Sequence, residues 1–303
     1  MNPQEPTLLF DAPGPRARRR ERVLSVVVGL LLAALLAVAV HRFAERGQLD
    51  AAKWQPFTAW ATWRFLLNGA WYSLLAATGA AAIAGPLGLA LAVGRMSDHR
   101  AVRWAAGSYV EIMRTVPVLL LIYVTLFALP QYGVNLSLYW KLVAPLALST
   151  AASTAEIFRA GLLSLDRGQR EAGLSIGLTP GRTMLLILLP QALRRVVPSL
   201  VSQSVGLIKD TSLGYIVSYY ELLFSGQVYA TYSHLLIQTF LTVAAIYLVV
   251  NGSLSKLGRV LQQRDRTTRP RPRRRTPSPL AAHTHTHTLA EAVAPRALPG
   301  DNQ

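Results

Sequence analysis

From Val23 to Val40 only Ser25 and Gly29 interrupt a run of valine, leucine and alanine. A helix that crosses a bilayer needs about 20 mainly apolar residues, and this run comes close to that length before its flanks are added. A cleaved signal peptide would also place basic residues before an apolar stretch. The stretch is long for that purpose, however, and His41-Arg42-Phe43 offers no small-residue cleavage site. The expectation is a retained transmembrane helix. Five further apolar runs follow at Ala70–Val93, Ala105–Leu129, Leu142–Leu163, Met184–Leu207 and Leu235–Val250. They are too long and too continuous for barrel strands, in which apolar and polar residues alternate. The fifth run contains Arg194 and Arg195 and is flanked or broken by Pro190 and Pro198, so its embedded part can also be drawn from Val196 toward Tyr215. The predicted fold class is an all-α integral membrane protein with about six transmembrane helices. Composition agrees, with 51% hydrophobic and 15% charged residues where soluble domains carry roughly a quarter charged.

The formal net charge of +16 gathers toward the chain ends, which suits a topology signal better than a nucleic-acid surface. Arg16, Arg18, Arg19, Arg20 and Arg22 precede the first run and place the N-terminus in the cytoplasm. Arg95, Arg100 and Arg103 in the 94–104 loop and Arg167, Arg170 and Arg182 in the 164–183 loop fall on the same side, while the 130–139 loop has no Lys or Arg. One loop disagrees: residues 41–66 carry Arg42, Arg46, Lys53 and Arg64 yet must lie outside. Trp54, Trp60 and Trp63 in that segment indicate an interfacial position, where aromatic rings and snorkelling basic chains both belong. Both termini are therefore expected in the cytoplasm of a multi-pass protein. After Lys256 the chain turns to Arg269-Pro270-Arg271-Pro272-Arg273-Arg274-Arg275, too charged and proline-rich to pack a core. His283, His285 and His287 alternate with threonine without acidic or cysteine ligands beside them, so no metal site is expected. The absence of cysteine excludes disulfides, thiol catalysis and cysteine-held zinc or iron–sulfur centres.

The loop after the fourth run reads Arg167-Gly-Gln-Arg-Glu171-Ala172-Gly173-Leu-Ser-Ile-Gly177-Leu-Thr179-Pro180. Gly177 suits the left-handed position just past a helix C-terminus, and Thr179 followed by Pro180 suits the N-cap and first residue of the next helix. The loop is thus a short helix, a turn, and the start of another helix that runs through Ile187-Leu-Leu-Pro190. This segment resembles the coupling motif of bacterial ABC importer permeases: Glu-Ala-Ala, three residues, Gly, nine residues, Ile-any-Leu-Pro. Glu171, Ala172, Gly177, Ile187, Leu189 and Pro190 stand at matching offsets, and Gly173 replaces the usual second alanine. The stretches Glu111-Ile-Met-Arg114-Thr-Val-Pro117, Ala155-Glu156-Ile-Phe-Arg159-Ala-Gly161, Leu189-Pro-Gln191-Ala-Leu-Arg194 and Ile208-Lys209-Asp210-Thr211-Ser212-Leu213 are similar to the polar amino-acid branch (histidine, glutamate and glutamine type) of that family.

The resemblance covers about 67–260. It implies a five-helix permease core at 67–260; outside it the residues themselves give one extra transmembrane helix at 23–41, a basic N-terminal tail at 1–22, an external or interfacial segment at 42–66 and a basic disordered tail at 261–303. It implies an ATP-driven importer of polar amino acids such as glutamate, aspartate, glutamine or basic amino acids, in the bacterial cytoplasmic membrane. The expected partners are ABC ATPase subunits, a second permease subunit that is identical or paralogous, an extracytoplasmic solute-binding protein, the amino-acid substrate and membrane lipid, with no nucleic acid. Coupling to the ATPase falls to Glu171, Ala172, Gly173, Gly177 and Pro190. This chain is expected to be no enzyme and to bind no cofactor itself. Gly177-Leu-Thr-Pro-Gly181-Arg-Thr183 lacks the first glycine and the lysine of a phosphate loop and follows no strand, so ATP and Mg belong to the partner subunits.

Ionisable groups at membrane depth cost several kcal/mol unless paired or facing water. Glu111/Arg114 and Glu156/Arg159 are spaced to share a helix face and are expected as structural ion pairs at the inner ends of their spans. Lys209 and Asp210, beside Thr211 and Ser212, are either a loop salt bridge or part of the path for a zwitterion. Gln203, with two donors and an acceptor on a long stem, is a further candidate for the substrate path. The rival functional reading is a secondary transporter driven by an ion gradient. That would call for inverted repeats and midplane carboxylates, and no convincing repeat is present.

Overall fold

The computed structural model describes residues 14–267. The expectations for 1–13 and for the Arg/Pro and His/Thr stretches after 267 lie outside these residues. The chain divides into two units, Met1–Gly258 and Arg259–Gln303, and the architecture below is that of the first. The elements in chain order are α1 (Pro15–Glu45), α2 (Ala51–Trp54), α3 (Trp60–Arg95), α4 (Arg100–Thr115), α5 (Val118–Gln131), α6 (Leu138–Leu163), α7 (Arg167–Ser175), α8 (Pro180–Val217), α9 (Leu222–Ser233) and α10 (Leu236–Thr267). No strand occurs among the described residues.

Four helices are long and apolar enough to cross a membrane: Arg16–Glu45, Trp60–Arg95, Pro180–Val217 and Leu236–Val260. The pair α4 and α5, which bend by 95°, passes the same test when taken together and brings the number supported by length and composition to five. The continuous span expected at Ala105–Leu129 is therefore broken. Pro117 has no N–H to donate and forces Val116 out of the helical region, to ψ 123°. Helix α4 before that bend is amphipathic, and it buries Ala106 and Val110 against α3 and α6. Length and apolarity thus support up to five crossings rather than six. The remaining helix, α6, has the length but carries Ser149, Thr150, Ser153, Thr154, Glu156 and Arg159. Its surface is largely taken up by neighbouring helices, and these polar residues are tolerated there because little of the helix needs to meet lipid.

The α3–α6 pair forms the centre. Ala76, Ala77, Ala80, Ala84 and Ala92 of α3 are buried, as are Val143, Leu146, Ala147, Ala151 and Ala155 of α6. Small residues let two backbones approach, which is how helices associate where lipid offers no hydrophobic drive. At Gly88 a Cβ would stand 2.8 Å from Thr154 and 2.9 Å from the Ala151 carbonyl, so a larger residue there costs about 1–3 kcal/mol by overpacking. Ile122 of α5 and Leu207 and Ile208 of α8 close the same core.

Two π-helical turns, Val124–Ala128 and Met184–Leu188, each end two residues before a proline, Pro130 and Pro190. A proline ring crowds the carbonyl one turn back, and the wider turn absorbs that conflict without ending the helix. Beyond α1 the chain folds down on itself. The Gln238 side chain, 1% exposed, donates to the Gln48 carbonyl at 2.7 Å, and Trp54 donates to the same carbonyl at 3.3 Å. Phe57 is buried edge-on to Tyr229, and Trp63 donates to the Phe57 carbonyl at 2.7 Å. Helix α1 itself is exposed on every side, with a mean hydropathy of 3.0 over its most apolar stretch.

Candidate functional site

The short helix α7 is built from both ends. Asp166 accepts from the Gly168 amide at 2.7 Å and caps its start. At its end Gly177 adopts φ +85° and the closing bonds are those of a Schellman turn, with Gly177 N–H to the Leu174 carbonyl and Leu178 N–H to the Gly173 carbonyl. Thr179 then accepts from the Arg182 amide and Pro180 opens α8. Every α7 residue except Gly173 is exposed, Glu171 and Ala172 included, and Leu174 and, just past its end, Ile176 (76% exposed) turn apolar side chains outward. Gly173 is the seat. A Cβ there would lie 2.6 Å from Thr183 Cγ2 and 2.9 Å from Ile187 Cδ1, so a larger residue at this position has to push those side chains aside. Gln191 donates to Gln169 at 3.0 Å and ties α7 to the start of α8 a second time. Pro190 lies just after the π turn that Gly173 presses on.

Helix α8 carries the substrate-path candidates. Asp210 lies seven residues after Gln203, nearly two helical turns, so both share one face with Gly206, Ser199 and Arg195. All five are exposed or half-exposed. Lys209 is also exposed and forms no ion pair with Asp210. Thr211 is fully buried, and its hydroxyl donates to the Ile208 carbonyl at 2.7 Å, closing the α-helical part of α8. Ser212 begins a 3₁₀ stretch with Thr211 and is half-buried. The structure thus aligns Gln203 with Asp210 and turns Thr211 inward. A cleft of about 400 Å³ at the Arg195 end of this face is lined by Arg195 and Ser199 of α8 and by Glu156 and Ala160 of α6.

Glu156 is the meeting point of three guanidinium groups. It pairs with Arg159 at 3.0 Å on its own helix, with Arg114 of α4 at 3.4 Å, and with Arg95 of α3. The pair expected between Glu111 and Arg114 does not form: Arg114 turns across to Glu156, and Glu111 joins no ion pair among the described residues. The spacing rule identifies neighbours on one helix, but a carboxylate shared by three helices is the stronger attractor.

Sequence reasoning missed Glu221. It is 0% exposed and caps α9, accepting from the Leu223 amide at 2.8 Å and the Phe224 amide at 2.7 Å, while Tyr247 of α10 donates to it at 3.0 Å. Ser73 of α3 accepts from the adjoining Leu222 amide at 3.1 Å. Burial pushes the Glu221 carboxyl up to about 7, opposed by these donors. The signal was available: Glu221 is the lone carboxylate between Asp210 and Asp265, and an acid in such an apolar stretch is expensive without partners. Among the described residues no group of three or more His, Asp or Glu side chains is placed to hold a metal ion.

Comparison with known proteins gives this arrangement a lineage. Residues 84–267 match the family described as the binding-protein-dependent transport system inner membrane component. The glutamate transport system permease protein GluD of Corynebacterium glutamicum is 36% identical over 227 residues, which span 74% of this chain and 83% of GluD. The probable glutamine ABC transporter permease protein GlnP of Bacillus subtilis is 41% identical over 158 residues, 51% of this chain and 72% of GlnP. Among solved structures, an amino acid ABC transporter crystallised with histidines superposes with a TM-score of 0.65 at 26% identity, covering 71% of this chain and 99% of that one. The MetNI methionine ABC transporter, at 20% identity and a TM-score of 0.53, shares the fold. With the family match spanning α7, the polar face of α8 and the shared carboxylate of α6, the chain belongs to the binding-protein-dependent transport system inner membrane component family.

Proposed function

We propose that this chain is the permease subunit of an ATP-driven importer of polar amino acids of the glutamate and glutamine type. The observation that carries the proposal is the polar face of α8. Arg195, Ser199, Gln203, Gly206 and Asp210 follow one another along a helix that is otherwise long and apolar enough to span a membrane. Such a stripe is costly against lipid and is at home against water. Lining a path, it offers a cation, an amide and a carboxylate in turn to a solute that bears one charge of each sign. Lys209 and Asp210 stand at its outer end, with Ser212 beyond them, and Glu156 with its three arginines stands at the inner end. The similarity to GluD and GlnP supports amino acids as the solute class.

In this reading α6 crosses the membrane with the others and both termini are cytoplasmic, so α7 projects inward. The core occupies 67–260, with the span at 23–41 and the segment at 42–66 as additions to it. Two ATPase subunits, supplying ATP and Mg, engage the exposed surface of α7 around Glu171, Ala172, Leu174 and Ile176. A second permease chain completes the path, and a solute-binding protein delivers from outside. Closure of the ATPases moves α7. Its Gly173 seat presses on Thr183 and Ile187, before and within the π turn where α8 is already loosened, and the stripe is tilted relative to α6. Uptake of labelled glutamate into proteoliposomes loaded with ATP, in competition with a panel of amino acids, tests this. Uptake that needs ATP, persists when ion gradients are collapsed by ionophores, and is competed by polar amino acids supports it. Uptake that stops with the ionophore overturns it in favour of a gradient-driven carrier. In the same assay Asp210→Asn and Lys209→Met lower uptake severalfold with assembly intact.

A further inference from the structure

The connection after α8 turns left-handed at Ser218, with φ 56°, and lays Tyr219 and Tyr220 against the opening turn of α6. A cavity of about 530 Å³ results, within the ~300–1,000 Å³ of ordinary ligand pockets. Five aromatic side chains wall it, Phe65, Tyr72, Tyr139, Tyr219 and Tyr220. Tyr219 is the floor, 7% exposed, with the Tyr72 ring edge-on at 6.0 Å and the Tyr139 ring at 6.1 Å, and its hydroxyl donates to the Tyr72 carbonyl at 3.3 Å. Burial, with the neighbouring Tyr139, Tyr72 and Glu221, pushes the Tyr219 hydroxyl up to about 12, so it stays neutral and adds no charge to the cavity.

Three features decide what such a site takes. In a chain of net charge +16 its lining contains no Lys or Arg, and no Asp or Glu either, so an anionic ligand finds no counter-charge while several ring faces favour a cation. Asn68 and Ser137 stand at the exposed rim and offer hydrogen bonds beside the rings. The large apolar side chains of Leu67, Trp71 and Trp140 lie exposed next to the lining residues in sequence, and Leu138 of the lining is itself exposed, as in the aromatic belt where helices leave a bilayer. We propose that this cavity seats the ammonium-bearing headgroup of an outer-leaflet phospholipid, the ammonium over the tyrosine rings and the phosphate oxygens on Asn68 and Ser137. The placement in the outer leaflet rests on the topology proposed above; the headgroup chemistry does not.

The test reconstitutes the full-length chain in nanodiscs holding equal amounts of phosphatidylethanolamine and phosphatidylglycerol and identifies the lipid retained after delipidation by mass spectrometry. Wild type retains phosphatidylethanolamine at least threefold over phosphatidylglycerol. The exposed pair Tyr72→Leu/Tyr220→Leu loses that preference with an unchanged unfolding midpoint in phosphatidylglycerol alone, and Tyr72→Phe/Tyr220→Phe keeps it because the rings remain. Equal retention of both lipids by wild type, or loss of preference in the phenylalanine pair, overturns the proposal. So does displacement of the lipid by free amino acid, which assigns the cavity to the solute, or disulfide cross-linking of two copies through Asn68→Cys, which assigns it to a second chain. The importer reading fails separately, through ATP-independent uptake.

Discussion

Helix α7 and the Glu221 cap are opposites in construction. The first is a nine-residue helix with a single buried position, Gly173, held in shape by caps that lie within its own stretch of chain. The second is a fully buried carboxylate that caps its own helix through the Leu223 and Phe224 amides and also binds outward to two other elements, Tyr247 of α10 directly and Ser73 of α3 through the neighbouring amide. The surface proposed to receive another subunit stays open and takes its rigidity from local turn chemistry. A joint that must hold three helices in register is closed to water and takes its rigidity from distant partners. Changes at the first are expected to cost coupling, and changes at the second to cost the fold.

Glu221→Ala is expected to have the largest effect on stability. It removes a helix cap, worth about 0.5–2 kcal/mol, and leaves the half-buried Leu223 and Phe224 amides and the Tyr247 hydroxyl without their acceptor, which adds to that cost. The checkable outcome is a fall in the thermal unfolding midpoint and in the amount of protein in the membrane, partly recovered by Glu221→Gln, which keeps one acceptor oxygen. An unchanged midpoint in Glu221→Ala would erase the contrast between the two regions.

Gly173→Val sharpens the contrast from the other side. A branched side chain has no room within 2.6 Å of Thr183 Cγ2, but α7 is exposed and can lift away without disturbing the bundle core. Solute-stimulated ATP hydrolysis in the reconstituted complex should drop at least tenfold, while the unfolding midpoint moves by no more than a few degrees. A collapse of the midpoint would mean that α7 is part of the core after all.

The smallest effect compares two carboxylates, Glu156 of α6 and Glu111 of α4. Glu156→Gln strands Arg95, Arg114 and Arg159 around an amide and is expected to lower uptake severalfold. Glu111→Gln, which breaks no ion pair among the described residues, should leave uptake within twofold. Equal losses would show that the charge of this face matters and the specific pairing does not.

The same contrast explains what could be read from the residues alone. Gly177, Thr179 and Pro180 obey rules that act over a few residues, so the α7 turn and its exit were visible in the spacing. The seat of Gly173 was not, because Thr183 and Ile187 reach it only after the chain has folded back. Pro117 was a local warning against a helix through Val116, yet the apolar run Ala105–Leu129 reads as one span when hydropathy alone is weighed. For Glu111 and Arg114 the helical spacing was sound and the outcome differed, since Glu156 brings together arginines from α3, α4 and α6. The extent of α3 back to Trp60 was hidden for a similar reason. Its first turns are held by the Pro56 and Phe57 carbonyls of the preceding segment, through contacts that no single-helix pattern encodes.

The central claim is that α7 is the handle by which an ATPase drives this permease, and Gly177 and Glu171 test it most directly. Gly177 holds φ +85° with nothing within 4 Å of where a Cβ would stand, so a valine there meets backbone strain of roughly 1 kcal/mol or more and no clash. The strain acts on the exit angle of α7 alone. Glu171→Lys reverses charge on the exposed face without touching the core. The measurement is co-purification of the ATPase subunit with the full-length permease, together with solute-stimulated ATP hydrolysis in proteoliposomes. The account predicts that both variants insert normally, lose most of the bound ATPase and lose stimulation, while the solute-binding protein still docks on the opposite face. Wild-type ATPase binding and stimulation in both variants would contradict it.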